Sequence, residues 1–220
     1  MCFSAAASFT TAALTGAVGI VCLARARDPL QWPLAAIPLF FALQQGMEGA
    51  LWLTLPVAED ASISTGLTLL YLLFAQTFWP VYAPIAAACT EPDDRRRRLM
   101  LVCAGLGGAI SIYLLWGIIA RSHGAGIVAG HIVYVSETPI PFALGFAYLA
   151  ATALPLLLSS HKVVVWLGAV VLVGCVTANL FYWAAFASVW CFFAAVASAM
   201  LLFHFEQARQ RLNPALPDEA

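Results

Sequence analysis

The side chains able to do chemistry in this sequence are few, and most lie in apolar surroundings. Glu48 is the only acidic residue well inside an apolar run. A carboxyl at membrane depth is costly, so such residues normally face the interior of a helix bundle and have a purpose there. Gln44, Glu48 and Trp52 follow at four-residue steps, so a helix places them on one face, with Gln45 beside it. Further along stands Gln76-Thr77-Phe78-Trp79-Pro80, followed by Pro84. Pro80 has no N–H to offer the carbonyl of Gln76, and its ring bends a helix there. Gln44, Gln45, Glu48, Trp52 and Gln76 therefore form one candidate ligand-binding set, lining an outward-facing polar cavity. A plainer reading makes Glu48 a polar tie to a neighbouring helix. The Pro80 kink has its own plain reading, in which Thr77 or a neighbour satisfies the freed carbonyl.

The elements that must hold these residues are transmembrane helices. The chain has 220 residues, 63% hydrophobic and 10% charged, with mean hydropathy +0.90. A soluble domain carries about 25% charged residues. So few charges cannot clothe a water-facing globule, but they can cap helices whose sides face lipid. The net charge of −1 and the lack of a broad basic face exclude nucleic acid as a partner. A span needs roughly 20 apolar residues. Seven stretches qualify: 5–23, 34–55, 65–88, 99–120, 141–158, 163–183 and 188–205. Polar or turn-forming breaks at 25–29, 59–60, 91–94 and 159–162 separate most of them. The join between the last two rests on length alone.

Lys and Arg set the orientation. The four arginines at 95–98 mark the loop between the third and fourth spans as cytoplasmic. Alternation then puts Arg25, Arg27, Lys162, Arg209 and Arg211 on the same side, and leaves Arg121 alone outside. The expected fold is all-α: a polytopic seven-transmembrane-helix bundle, N-terminus outside and C-terminus cytoplasmic. The membrane domain takes residues 1–205 and a short cytoplasmic tail takes 206–220. The first span is no signal peptide, because its basic residues follow the apolar run instead of preceding it.

This topology brings a second set of residues to one side. Cys2 precedes the first span, Cys191 lies near the start of the seventh, and His131 belongs to the long outer loop. Glu48 sits about two helical turns below the outer end of its span. Thiolate, imidazole and carboxylate together would suit zinc or another soft or borderline metal. Cys2 and Cys191 could instead pair as a disulfide. The middle of the outer loop, residues 126–135, is too short to span and too apolar for an ordinary loop. It reads as an interfacial or re-entrant segment over the outer mouth. The bland alternative for His131 is an exposed loop histidine.

The opening Met-Cys-Phe-Ser-Ala resembles a family of uncharacterised multi-pass bacterial membrane proteins. Gln44-Gln45-x-x-Glu48-Gly49-x-x-Trp52, Phe78-Trp79-Pro80 and Trp190-Cys191-Phe192-Phe193-Ala194-Ala195 carry the same resemblance. It implies a multi-pass protein of the cell membrane, the inner membrane of a bacterium, and supplies no activity. Other seven-helix families fit poorly. The single lysine, Lys162, lies in a loop, so no retinal Schiff base is available in the last helix. No span contains Asp, as a ceramidase-like zinc set requires.

The leading functional expectation is binding, transport or sensing of a small ligand or ion, with the lipid bilayer as the surrounding partner. A membrane-embedded metal- or thiol-dependent enzyme is the first alternative. A structural or assembly subunit is the second.

Overall fold

The computed structural model describes residues 4–181 and 186–212, with side chains for 4–177, 193 and 195–207. Among these residues seven long helices account for most of the chain: α1 (Ala5–Arg25), α2 (Ile37–Thr54), α3 (Ala58–Thr90), α4 (Asp94–Ala120), α5 (Phe142–Leu157), α6 (Lys162–Phe181) and α7 (Phe186–Leu212). Each matches one apolar stretch of the sequence. Three of them, α1, α3 and α4, are long and apolar enough to cross a membrane. The last helix runs past residue 205, so the expected start of the tail falls inside α7.

Local chemistry fixes the helix ends. The Ser4 hydroxyl accepts from the amide of Ala7 at 3.2 Å and starts α1. Asp93 accepts from the amides of Arg95 and Arg96 at 3.0 and 2.8 Å and starts α4. Asp28 caps the Pro29–Gln31 turn that leads towards α2. Within the helices, Thr15, Thr54, Thr65, Thr68 and Thr152 return their hydroxyls to carbonyls four residues back. That leaves no hydroxyl proton for the surroundings to satisfy.

α3 is not uniform. Its middle, Leu73–Phe78, widens into a π-helical turn just before Trp79 and Pro80. Insertion of a π turn is one of the standard causes of a bend. The carbonyl of Ala75 accepts the Tyr148 hydroxyl of α5 at 2.6 Å, and the carbonyl of Thr77 accepts the Ser111 hydroxyl of α4 at 2.7 Å. The sequence located the freed carbonyl at Gln76; the structure places neighbouring hydroxyls on either side of it. A Cβ on Gly107 would fall on the Pro80 carbonyl, so glycine is what lets α4 approach α3 there.

Helix packing brings like ends together. Arg25 at the end of α1 pairs with Glu206 on α7. Arg96 at the start of α4 donates to the carbonyl of Leu158 after α5 at 3.1 Å. The His161 ring nitrogen lies 2.9 Å from the carbonyl of Thr90 at the end of α3. Tyr82 donates to the carbonyl of Pro33 at 2.8 Å. The main apolar core lies towards this end, built on Cys22, Leu34, Phe41, Trp79, Met100 and Leu201.

Between α4 and α5 the structure corrects the sequence reading. The apolar segment there is an antiparallel β-hairpin, β1 (His123–Val128) and β2 (His131–Ser136), not a re-entrant loop. Ala129 and Gly130 have φ of 50° and 75°. A two-residue connection with both φ positive is the type I′ turn, whose twist matches that of paired strands. One face of the hairpin carries Ala125, Ile132 and Tyr134 and packs on Leu51 and Tyr71. Tyr134 stacks on Tyr71 with centroids 4.4 Å apart and planes 3° from parallel.

The interior is mainly apolar, but several polar side chains are buried in it while many large apolar ones face outwards. Glu48, Gln45 and Gln44 are 0, 2 and 4% exposed, while Phe142, Ile119 and Ile112 are 80, 77 and 71% exposed. On α4 one stripe is buried, including Gly107, Ile110, Ser111, Leu114 and Ile118. The remaining faces of that helix show Val102, Ile112, Trp116 and Ile119 to the outside.

Candidate functional site

A cavity of about 110 Å³ lies among α2, α3, α5 and α6. Its walls include Phe41, Gln44, Ala75, Trp79, Tyr148 and Val171, and among the described residues no charged side chain lines it. The π turn shapes it. Widening α3 between Leu73 and Phe78 turns Ala75 and Trp79 towards the space, and Tyr148 holds α5 to that turn through the Ala75 carbonyl.

Gln44 is the polar feature of this space. Its Oε1 accepts from the Trp79 indole at 2.9 Å across the α2–α3 interface. An indole N–H can only donate, so the atom facing it must be the amide oxygen. Phe41 reinforces the contact by packing on Trp79, with ring centroids 4.6 Å apart.

The other members of the expected ligand set lie elsewhere. Gln45 donates to Glu48 at 3.4 Å along the same helix, and both are buried. Gly49 beside them has the Phe9 ring at about 3 Å from where its Cβ would stand, so α1 closes tightly over this part of α2. Trp52 joins the cluster beneath the hairpin, and its Nε1 is buried without a hydrogen-bond partner among the described residues. The Oε1 of Gln76 is likewise buried and unpartnered among them. Gln45, Glu48, Trp52 and Gln76 are not among the residues that line the cavity. The space itself is mainly apolar.

Of the expected metal set, Glu48 and His131 are described. Glu48 is fully buried in α2, and His131 opens β2 opposite Val128. Cys2 and the side chain of Cys191 lie outside the described residues, and with them the expected disulfide. Among the described residues there is no group of three or more His, Cys, Asp or Glu able to hold a metal ion.

A second polar centre, which the sequence reading did not single out, stands at the arginine-rich end. Glu91 follows α3 and is 3% exposed. Its carboxylate accepts from the Ser160 amide at 2.8 Å, from the Ser160 hydroxyl and from the Asp93 amide at 3.2 Å. Burial pushes its pKa up, but these hydrogen bonds together outweigh burial and hold it below the usual glutamate value. The only sequence signal was an acidic residue at a helix end facing a Ser-Ser-His turn, which many loops share.

No curated protein and no solved structure matches the chain. Residues 1–216 match the model of a family of unknown function, DUF6629, and the chain belongs to that family.

Proposed function

We propose that this is a multi-pass protein of the cell membrane, with seven spans and an outside N-terminus, that binds a small, mainly apolar molecule between its helices. The exposed apolar surface supports the membrane half of this reading. In water, showing so many large apolar side chains would be unfavourable. In lipid that surface is at home, and polar residues such as Glu48, Gln44 and Gln45 belong in the interior of the bundle. The grouping of basic residues supports the orientation. Nine of the ten, all except Arg121, belong to the end where Arg25 meets Glu206 and Arg96 meets Leu158. The binding half is carried by one observation, the cavity bounded by α2, α3, α5 and α6.

Topology is tested by labelling from outside in a background with the native cysteines replaced. A cysteine at Ala61 should react and one at Ala215 should not; the reverse pattern would overturn the orientation. Binding is tested by mass spectrometry of small molecules that co-purify with the protein and with Val171→Phe, which fills the cavity. A stoichiometric organic molecule present in the first and lost in the second supports the reading. Stoichiometric zinc by elemental analysis, with no organic molecule, would favour the set Cys2, Glu48, His131 and Cys191 instead.

A further inference from the structure

We infer that the cavity selects neutral, apolar molecules carrying a hydrogen-bond acceptor such as a ketone oxygen, which the Gln44 amide nitrogen recognises. This rests on the reading that the cavity is a binding site.

The polar groups on the cavity wall are those of Gln44, Tyr71, Trp79, Tyr148, Thr152 and Cys175. Most are committed. Trp79 donates to Gln44, Tyr148 donates to Ala75, and Thr152 returns its hydroxyl to its own helix. Tyr71 is held in its stack with Tyr134. Cys175 offers only a weak thiol donor. Gln44 differs from all of these. It is 4% exposed, its oxygen is occupied by Trp79, and its NH₂ group has no acceptor among the described residues. That nitrogen is also not one of the buried polar atoms sealed from open space. Two N–H donors are therefore presented to a mainly apolar cavity whose other polar groups are engaged elsewhere or weak.

The chemistry of the occupant follows. A buried amide donor without an acceptor is costly, so an acceptor on the ligand relieves a penalty that the empty site carries. A charged ligand would find no counter-ion among the described residues of the wall. A hydrocarbon would fill the space but leave the donors unpaired. A ligand whose only polar group is a donor would compete with Trp79 for the one oxygen available. Trp79 is thus a positioning residue. By occupying Oε1 it prevents the amide from turning over and fixes which kind of partner is accepted.

The test uses the full-length protein in lipid nanodiscs and two fluorinated probes of nearly equal shape, 4-fluoroacetophenone and 1-ethyl-4-fluorobenzene, followed by fluorine NMR. Empty nanodiscs correct for partitioning into lipid. Wild type should hold the ketone about tenfold more tightly than the hydrocarbon, the value of one hydrogen bond of roughly 1.4 kcal/mol. Gln44→Leu should remove that preference, bringing the two affinities together. Trp79→Phe should reduce the ratio of ketone to hydrocarbon affinity, because the amide is then free to turn over, whereas a merely structural role would shift both affinities together. Equal affinity of the wild type for the two probes overturns the inference and leaves the cavity reading standing, as does a preference that survives Gln44→Leu. Failure of both probes to bind, or binding unaltered in Val171→Phe, overturns the cavity reading itself. Should a variant fail to fold, the wild-type comparison still decides.

Discussion

The hydroxyl of Tyr148 on α5 donates to the carbonyl oxygen of Ala75 on α3 at 2.6 Å, inside the π turn that precedes Pro80. One side chain thus satisfies a carbonyl at the irregular turn and pins the helix that forms the opposite wall of the cavity. Ser111 performs the matching task for Thr77 from α4. In a lipid setting no water stands ready to replace either hydroxyl.

Removing the Tyr148 hydroxyl should therefore cost stability without disturbing packing. Tyr148→Phe keeps the ring and leaves the Ala75 carbonyl unpaired, at about 1–2 kcal/mol. Ser111→Ala should cost a similar amount for Thr77, and thermal unfolding in detergent would read both as lower midpoints. A midpoint unchanged in both variants would show that the turn satisfies its carbonyls by other means. Gly107→Ala should be more damaging than either, because its Cβ meets the Pro80 backbone and not a movable side chain.

Much of this fold was legible in the sequence, and what was missed has two causes. Helix positions could be read because apolar runs of spanning length end at charged or turn-forming residues such as Arg25, Glu91 and Lys162. Gln44 stood out through its spacing to Glu48 and Trp52. Its indole partner lies 35 residues away on another helix, and the hydroxyls of Ser111 and Tyr148 are 34 and 73 residues from the carbonyls they satisfy. Periodicity reports which residues share a face; it carries no information on which faces meet. The hairpin was missed for a more local reason. Its strands alternate between two kinds of apolar or small residue, such as Gly126 and Ile127, so no polar face announced the period of two. Its turn is Ala129-Gly130, without the Asn or Asp that usually signals this geometry.

That turn gives a prediction of opposite sign. Ala129 has φ of 50°, a left-handed conformation that costs an L-residue roughly 1–2 kcal/mol. Asn tolerates it better, and glycine accepts it freely. Ala129→Asn should stabilise the hairpin, while Gly130→Ala, at φ 75°, should destabilise it. Hydrogen exchange at the strand amides is the appropriate readout, since the hairpin can open while the helices stay packed. Slower exchange in Ala129→Asn and faster exchange in Gly130→Ala are expected; no change in either would mean that packing on Tyr71 and Leu51 alone holds the segment.

Glu91 makes the stability depend on pH at the arginine-rich end. Its carboxylate gathers Ser160 and Asp93 around the junction of α3 and α4, and so ties the turn before α6 to the turn before α4. Its folded pKa lies below the ordinary glutamate value of 4.5. The unfolded chain therefore binds the proton more readily than the folded one. The stabilisation is fully present above about pH 4.5 and is lost as pH falls through the lower folded value. Glu91→Gln should remove it at every pH. At neutral pH the variant should be less stable by about 2 kcal/mol, the scale of hydrogen bonds to a charged group. On acidification the wild type should approach the variant, and the difference between their unfolding midpoints should shrink below pH 4.5. A difference that stays constant down to strongly acid pH would show that Glu91 acts through its shape and not its charge.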